Sequence, residues 1–184
     1  APILVAPTVW LRNNWKWGYN TYKAEINASP DGSINIGHDS ISIKKFYSRK
    51  SNTESVFCDN ETNTSKLYGA PAAENTYFKD GINNYIIHKT NTVNPEKRGT
   101  KASFLIDELI GAGESKVFEF RLCPDEADEP FEKFDEIFNT REAEAEEFYK
   151  EIQNDTIKLI DETFEGELRS AESAYRSEEH TSEL

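Results

Sequence analysis

The sequence predicts a mainly β fold, a β-sandwich followed by two α-helices, and three observations carry that reading. Short β-branched and aromatic runs recur up to about residue 125, and turn-forming residues separate them. After Pro124 the composition becomes acidic, with apolar residues at spacings close to three and four. Repeated short strands joined by loops are what two packed antiparallel sheets require.

In chain order, the predicted strands are Ile3 to Leu11, Thr21 to Asn27, Ile34 to Ile36, Ser40 to Phe46, Tyr85 to His88, Lys101 to Ile110 and Lys116 to Leu122. Ile41, Ile43 and Phe46 set against Ser40, Ser42 and Lys44 give the alternation of a half-buried strand, with one slip. Asp31-Gly32 and Gly111-Ala112-Gly113 supply residues tolerant of positive φ, so the last two strands are expected to pair as a hairpin. The first helix is expected from Asp128 as cap and Pro130 in the first turn, with Phe131, Phe134, Ile137, Phe138, Ala145, Phe148 and Ile152 as its stripe. A second is expected from about Thr156, carrying Ile157, Ile160, Phe164, Leu168 and Ala171. Neither stripe can bury itself within a lone helix, so each needs a surface to pack on.

These elements divide the chain into a β domain over 1–125, a helical connector over 126–175 and a tail over 176–184. The tail Arg176-Ser177-Glu178-Glu179-His180-Thr181-Ser182-Glu183-Leu184 is what AGA TCG GAA GAG CAC ACG TCT GAA CTC encodes, and that DNA resembles a common sequencing adapter. It is expected to be foreign to the fold. The chain has no Met, and Ile3-Leu4-Val5-Ala6 opens in mid-strand, so the β domain is expected to be incomplete at its start.

The 184 residues are polar but globular in composition, with 36% hydrophobic, 30% charged and 12% aromatic residues, and a mean hydropathy of −0.73. The aromatic content separates the chain from the disordered class. Net charge is −13; the tail contributes one Arg and three Glu, so residues 1–175 carry −11. Such a surface has no basic face to release counterions from a polyanion, and neither nucleic acid nor an anionic membrane is expected as a partner. Cys58 and Cys123 are too few for a disulfide framework and lack zinc spacing, so buried free thiols are expected. No nucleophile elbow, phosphate loop or dinucleotide fingerprint occurs, and no cofactor or metal is expected. The sequons at Asn27, Asn60, Asn63 and Asn154 count for little in so Asn-rich a chain.

The densest local signal is a polar block. Asp59-Asn60-Glu61-Thr62-Asn63 is followed by Lys79-Asp80-Gly81-Ile82-Asn83-Asn84-Tyr85 and closed by Asn94-Pro95 and Gly99-Thr100-Lys101-Ala102. Asn, Asp, Gly and Pro at this density favour turns and side-chain to backbone bonds. A loop platform held on a β scaffold follows.

Read with Trp10-Leu11-Arg12-Asn13, Trp15-Lys16-Trp17-Gly18, Leu67-Tyr68-Gly69, Tyr85-Ile86-Ile87-His88 and Val93-Asn94-Pro95, the block resembles the front part of mannosylglycerate-hydrolase-like enzymes of the glycoside hydrolase family 63 type. Phe134-Asp135, Arg141-Glu142-Ala143-Glu144-Ala145 and Phe148-Tyr149 resemble that family's approach to its helical barrel. Cys58 departs from it, standing where the family carries a small polar residue. The resemblance implies part of a supersandwich leading to a missing (α/α)6 barrel, and a parent glycosidase acting on glucosides or mannosides. The barrel would be an intramolecular partner, and the carbohydrate would be met through the longer enzyme.

Glycoside hydrolysis needs two carboxyls flanking the scissile bond. Asp59, Glu61 and Asp80 are the acids placed in loops, although acids in such loops commonly cap turns. In the resembled family both catalytic acids belong to the barrel, so no catalytic residue is expected here and the fragment alone should be inactive. Asn60, Glu61, Asn63, Lys79 and Asp80 offer the donors and acceptors that sugars need, with Asn83, Asn84 and Lys101 nearby in sequence. Trp15 and Trp17, on one side of an extended segment, offer flat faces for pyranose rings. An alternative reading is a stand-alone carbohydrate-binding or structural β module.

Overall fold

The computed structural model describes residues 1–12, 18 and 23–181, giving the backbone alone at 154–162 and 168–181. The elements in order are β1 (Pro2–Val5), β2 (Thr8–Trp10), β3 (Glu25–Ala28), β4 (Ile34–Gly37), β5 (Lys45–Ser48), β6 (Glu54–Cys58), α1 (Thr64–Tyr68), α2 (Gly81–His88), β7 (Arg98–Gly99), β8 (Lys101–Leu109), β9 (Phe120–Cys123) and α3 (Phe134–Thr181). They form two compact units, one spanning Ala1–Glu132 and one beginning at Lys133. The first is a β-rich domain with two antiparallel sheets.

The four-stranded sheet is built around β8. On one side β6 pairs with it from Glu54↔Leu105 to Cys58↔Lys101. Along the other side β1 and β2 lie in tandem, Pro2↔Leu109 to Val5↔Ile106 and then Thr8↔Ser103 to Trp10↔Lys101. The single run expected from Ile3 to Leu11 is therefore broken at Pro7, which lacks an N–H for the ladder. Its carbonyl still accepts from Phe104 N at 3.2 Å and Ser103 Oγ at 3.0 Å, so the break leaves β8 satisfied.

The five-stranded sheet runs β7-β3-β4-β5-β9. Asp31 and Gly32 make the β3–β4 turn as the sequence indicates: Gly32 sits at φ +85°, and Asp31 Oδ1 accepts from Ser33 N at 2.9 Å and Ser33 Oγ at 2.6 Å. Ile26, Ile34 and Phe46 alternate with polar neighbours and turn to the same side as Phe57, Ala102 and Phe104 of the first sheet, forming one buried cluster. Phe46 joins the two sheets directly, its ring centroid 5.0 Å from that of Phe104. A second cluster lies on the opposite face of β6 and β8, where Val56, Cys58 and Leu105 meet Ile82, with Tyr85 and Ile86 of α2 packed against them. Both cysteines are free and buried, and burial pushes the Cys58 thiol up to about 12 despite the charge of Lys101.

Four expectations are corrected. Tyr85 to His88 is the end of α2 and not a strand, because Ile82, Tyr85 and Ile86 share a helical face that the β6/β8 surface covers. Residues 41–44 lie outside any strand, and β5 starts only at Lys45. The Gly111 to Gly113 turn does not produce a hairpin, since β9 leaves β8 and pairs with β5, Phe46↔Leu122. Burial decides this: Phe120 packs against Phe46 at 6.2 Å between centroids. Finally, the two expected helices are one, α3, 48 residues long and starting at Phe134. Asn154-Asp155-Thr156 contains no Gly or Pro, and weak helix formers lower stability without breaking the backbone ladder.

Candidate functional site

The polar block leaves the sheet where β6 ends. Asp59 N donates to Tyr77 O at 2.7 Å, Asn60 N to Thr100 Oγ1 at 2.8 Å and Asn60 Nδ2 to Leu11 O at 3.1 Å. Thr100, fully buried, also donates to Asp59 Oδ1 at 3.3 Å. Asp59 and Asn60 thus fasten the loop to the scaffold. Gly99 permits this closeness: a Cβ there would stand 2.3 Å from the Cys58 carbonyl oxygen.

Beyond this anchor Asn63 caps α1, its Oδ1 accepting from Lys66 N at 3.0 Å and Ser65 Oγ at 2.8 Å. Its Nδ2 points the other way and meets both oxygens of Asp80 at 3.3 Å. Asn84 Nδ2 reaches Asp80 Oδ2 at 3.4 Å and Lys66 Nζ stands 3.6 Å from it. Asp80 occupies the N-cap of α2 without making a side-chain cap bond, so its carboxylate is turned toward Asn63 and Asn84. The contacts are long, and the side chain keeps 28% of its surface exposed. A side chain with spare acceptor lone pairs is therefore held open to solvent.

A cleft of about 410 Å³ lies beside it. Asn63, Asp80 and Asn84 border it together with Asn75, Tyr77 and Thr92. Gly81 is part of the wall, where a Cβ would come within 2.1 Å of the Thr92 carbonyl oxygen, and Thr92 Oγ1 donates to Gly81 O at 2.7 Å. The start of α2 and the loop before Val93 are locked together at this point.

Of the sequence-predicted binding residues, Asn63 and Asp80 come together at the cleft, while Asn60, Glu61 and Lys79 do not line it. Lys79 is tied to the loop instead: its N donates to Glu61 O at 3.0 Å, its Nζ to Thr62 Oγ1 at 3.2 Å, and its carbonyl accepts from Lys101 Nζ at 2.9 Å. Trp15 and Trp17 lie outside the described residues. The amide nitrogens of Asn60 and Asn63, which a sequon glycan would occupy, are engaged in the bonds above. Sequence reasoning missed Asn75, Tyr77 and Phe78. Their signal was the Asn-Thr-Tyr-Phe run directly before Lys79, where aromatic residues stand among turn formers.

Chemically the cleft offers amide donors and acceptors, hydroxyls, and one carboxylate among its described lining residues. That mixture suits hydrogen bonding to a polyol, since ionised Asp accepts from hydroxyls and Asn can do either. Among the described residues no group of three or more His, Cys, Asp or Glu is placed to hold a metal ion, and no helix is long and apolar enough to cross a membrane.

Comparison with known proteins adds one relative. The chain is 27% identical over 186 positions to the uncharacterized protein YMR196W of Saccharomyces cerevisiae, a match covering 82% of this chain and 17% of the yeast protein. The chain thus corresponds to about a sixth of that relative's length. No family model matches the chain. No solved structure matches it either.

Proposed function

We propose that this chain is the supporting β domain of a glycoside hydrolase of the family 63 type that acts on glucosides or mannosides. Its two sheets are halves of a β-sandwich, α3 leads toward an (α/α)6 barrel carrying the catalytic acids, and the polar loops roof the active site. The observation that carries this reading is the meeting of Asn63 and Asp80. Two motifs 17 residues apart, each part of the family resemblance, form one hydrogen-bonded pair at the edge of a cleft. The length of the yeast relative is in keeping with a domain that belongs to a much longer protein. A single cleft carboxylate binds hydroxyls but does not supply the acid and base pair that hydrolysis needs.

The test has two arms. The chain alone is incubated with aryl glucosides and mannosides, and so is a longer protein carrying it; only the longer protein should release sugar. In that longer protein Asp80→Asn should raise KM with little change in kcat, because it weakens binding without touching the acid and base. No hydrolysis by the longer protein overturns the proposal. Saturable sugar binding by the chain in that case would instead establish a binding module.

A further inference from the structure

A second polar concavity lies on the other face of the five-stranded sheet. Ile26, Ile34 and Phe46 point into the core, so their neighbours Asn27, Asn35 and Lys45 project outward. The register makes these three a straight row across adjacent strands, Asn27↔Asn35 and Asn35↔Lys45. They line a groove of about 500 Å³, bounded by Glu25 on β3, Lys44, and Asp125 and Glu126 beyond β9. None of its lining residues is shared with the cleft beside Asp80.

One atom beside this groove lacks a partner. Asn27 Oδ1 is fully buried and accepts no hydrogen bond from the described residues, although Asn27 as a whole is only partly covered and borders the groove. Buried polar atoms are almost always paired, and this exception stands in the wall of the groove.

The groups that line the groove define what it can take. Both ammonium groups are already engaged: Lys45 Nζ contacts Ser29 Oγ at 3.0 Å and Glu126 at 3.3 Å, and Lys44 Nζ donates to the carbonyls of His38 and Ile41 at 3.2 Å. Glu25, Asp125 and Glu126 outnumber these lysines, so an anion is repelled. β3 and β4 are each paired on both sides, which leaves no free ladder for a peptide strand. A row of carboxamides flanked by carboxylates fits hydroxyl groups that both donate and accept. We propose that this groove, carried by Asn27 and Asn35, is a second binding site for an uncharged, hydroxyl-rich ligand such as a neutral oligosaccharide lying across the strands.

The test is an amide-resolved NMR titration of the isotope-labelled chain with maltotriose and, separately, mannotriose. The expected result is saturable shifts in the backbone amides of 25–28 and 34–37 and in the side-chain NH₂ of Asn27, with either sugar. Asn27→Ala should weaken binding by about tenfold, the upper range for one hydrogen bond between neutral groups. Asn35→Ala, on the neighbouring strand, should do the same and serves if the first variant folds poorly. No saturable shift at these amides with either sugar, or unchanged affinity in both variants, overturns the proposal. Shifts confined to Asn63, Asp80 and Asn84 overturn it while supporting the cleft. Outer-face shifts without cleft shifts support it whatever becomes of the glycosidase reading.

Discussion

The β unit and α3 treat the same kind of side chain in opposite ways. In the β unit Phe57 and Phe104 have no exposed surface, and the aromatic ring of Phe46 sits between those of Phe104 and Phe120. On α3, Phe138, Phe148 and Phe164 are 64%, 56% and 65% exposed. The periodicity of α3 is as clear as that of any strand. What differs is the partner: a strand acquires one from its own sheet and the facing sheet, whereas a helical stripe says only that something apolar is wanted. Amphipathic spacing therefore fixes an element's type and leaves its packing surface open.

The comparison breaks most sharply under truncation of an aromatic side chain. Phe104→Ala should lower the unfolding free energy of the β unit by about 3 to 5 kcal/mol, since it removes a large buried side chain and leaves a cavity. Phe148→Ala on α3 should change it by less than about 0.5 kcal/mol, as for other exposed positions. Chemical denaturation followed by fluorescence measures both. Equal losses would mean that α3 is packed in solution.

Glycine replacements sharpen the contrast through opposite signs. Gly81→Ala drives a Cβ against the Thr92 carbonyl, a backbone atom with little freedom to yield, and should cost about 3 kcal/mol, the upper part of the range for overpacking. Gly166→Ala meets nothing within 4 Å and should stabilise α3 by about 1 kcal/mol through helix propensity. Thermal melts read the first change and far-ultraviolet circular dichroism the second.

The smallest effect is a pH dependence confined to the β unit. Burial works to raise the Asp31 carboxyl, but hydrogen bonds from Ser33 and Ser29 and the charge of Lys45 outweigh it and hold the group down at about 2. A folded value below the unfolded one, about 3.9, adds stability that is complete above the unfolded value and is lost as pH falls from about 4 through about 2. With 42% of the side chain exposed, solvent screens much of this. Asp31→Asn should lower stability near neutral pH, flatten the curve between about pH 4 and about pH 2 and converge with the parent in acid; an unchanged acid limb would show that the turn does not matter.

How much was legible follows the same logic of partners. β8 could be read directly because its apolar residues run almost unbroken, as a strand covered on both faces requires. β6 escaped notice: Glu54 and Ser55 are polar, and only its last residues look like a strand. The α2 error came from Tyr85-Ile86-Ile87, residues that favour strands until Ile82 is seen to share their helical face. In the cleft, Asn63 and Asp80 were visible because Asx residues cluster in sequence. Tyr77 and Phe78 were not, because loop aromatics carry no periodicity to reveal which way they turn. The meeting of Asn63 with Asp80 is a tertiary contact that local spacing does not encode.

The tandem placement of β1 and β2 along one side of β8 bears on the order in which the molecule assembles. The bonds that seat them join residues roughly a hundred positions apart: Thr8 to Ser103 across 95, and the backbone of Ala1 to that of Ile110 across 109. Closing so long a loop costs little more equilibrium free energy than closing a short one, because the entropy grows only with the logarithm of length. The search time is another matter, since non-local pairing slows folding. During synthesis residues 1–10 must wait until β8 emerges, while the β3–β4 hairpin can close early around Asp31 and Gly32. Until β8 is made, β1 and β2 have no counterpart, and this interval is when they are most open to mispairing.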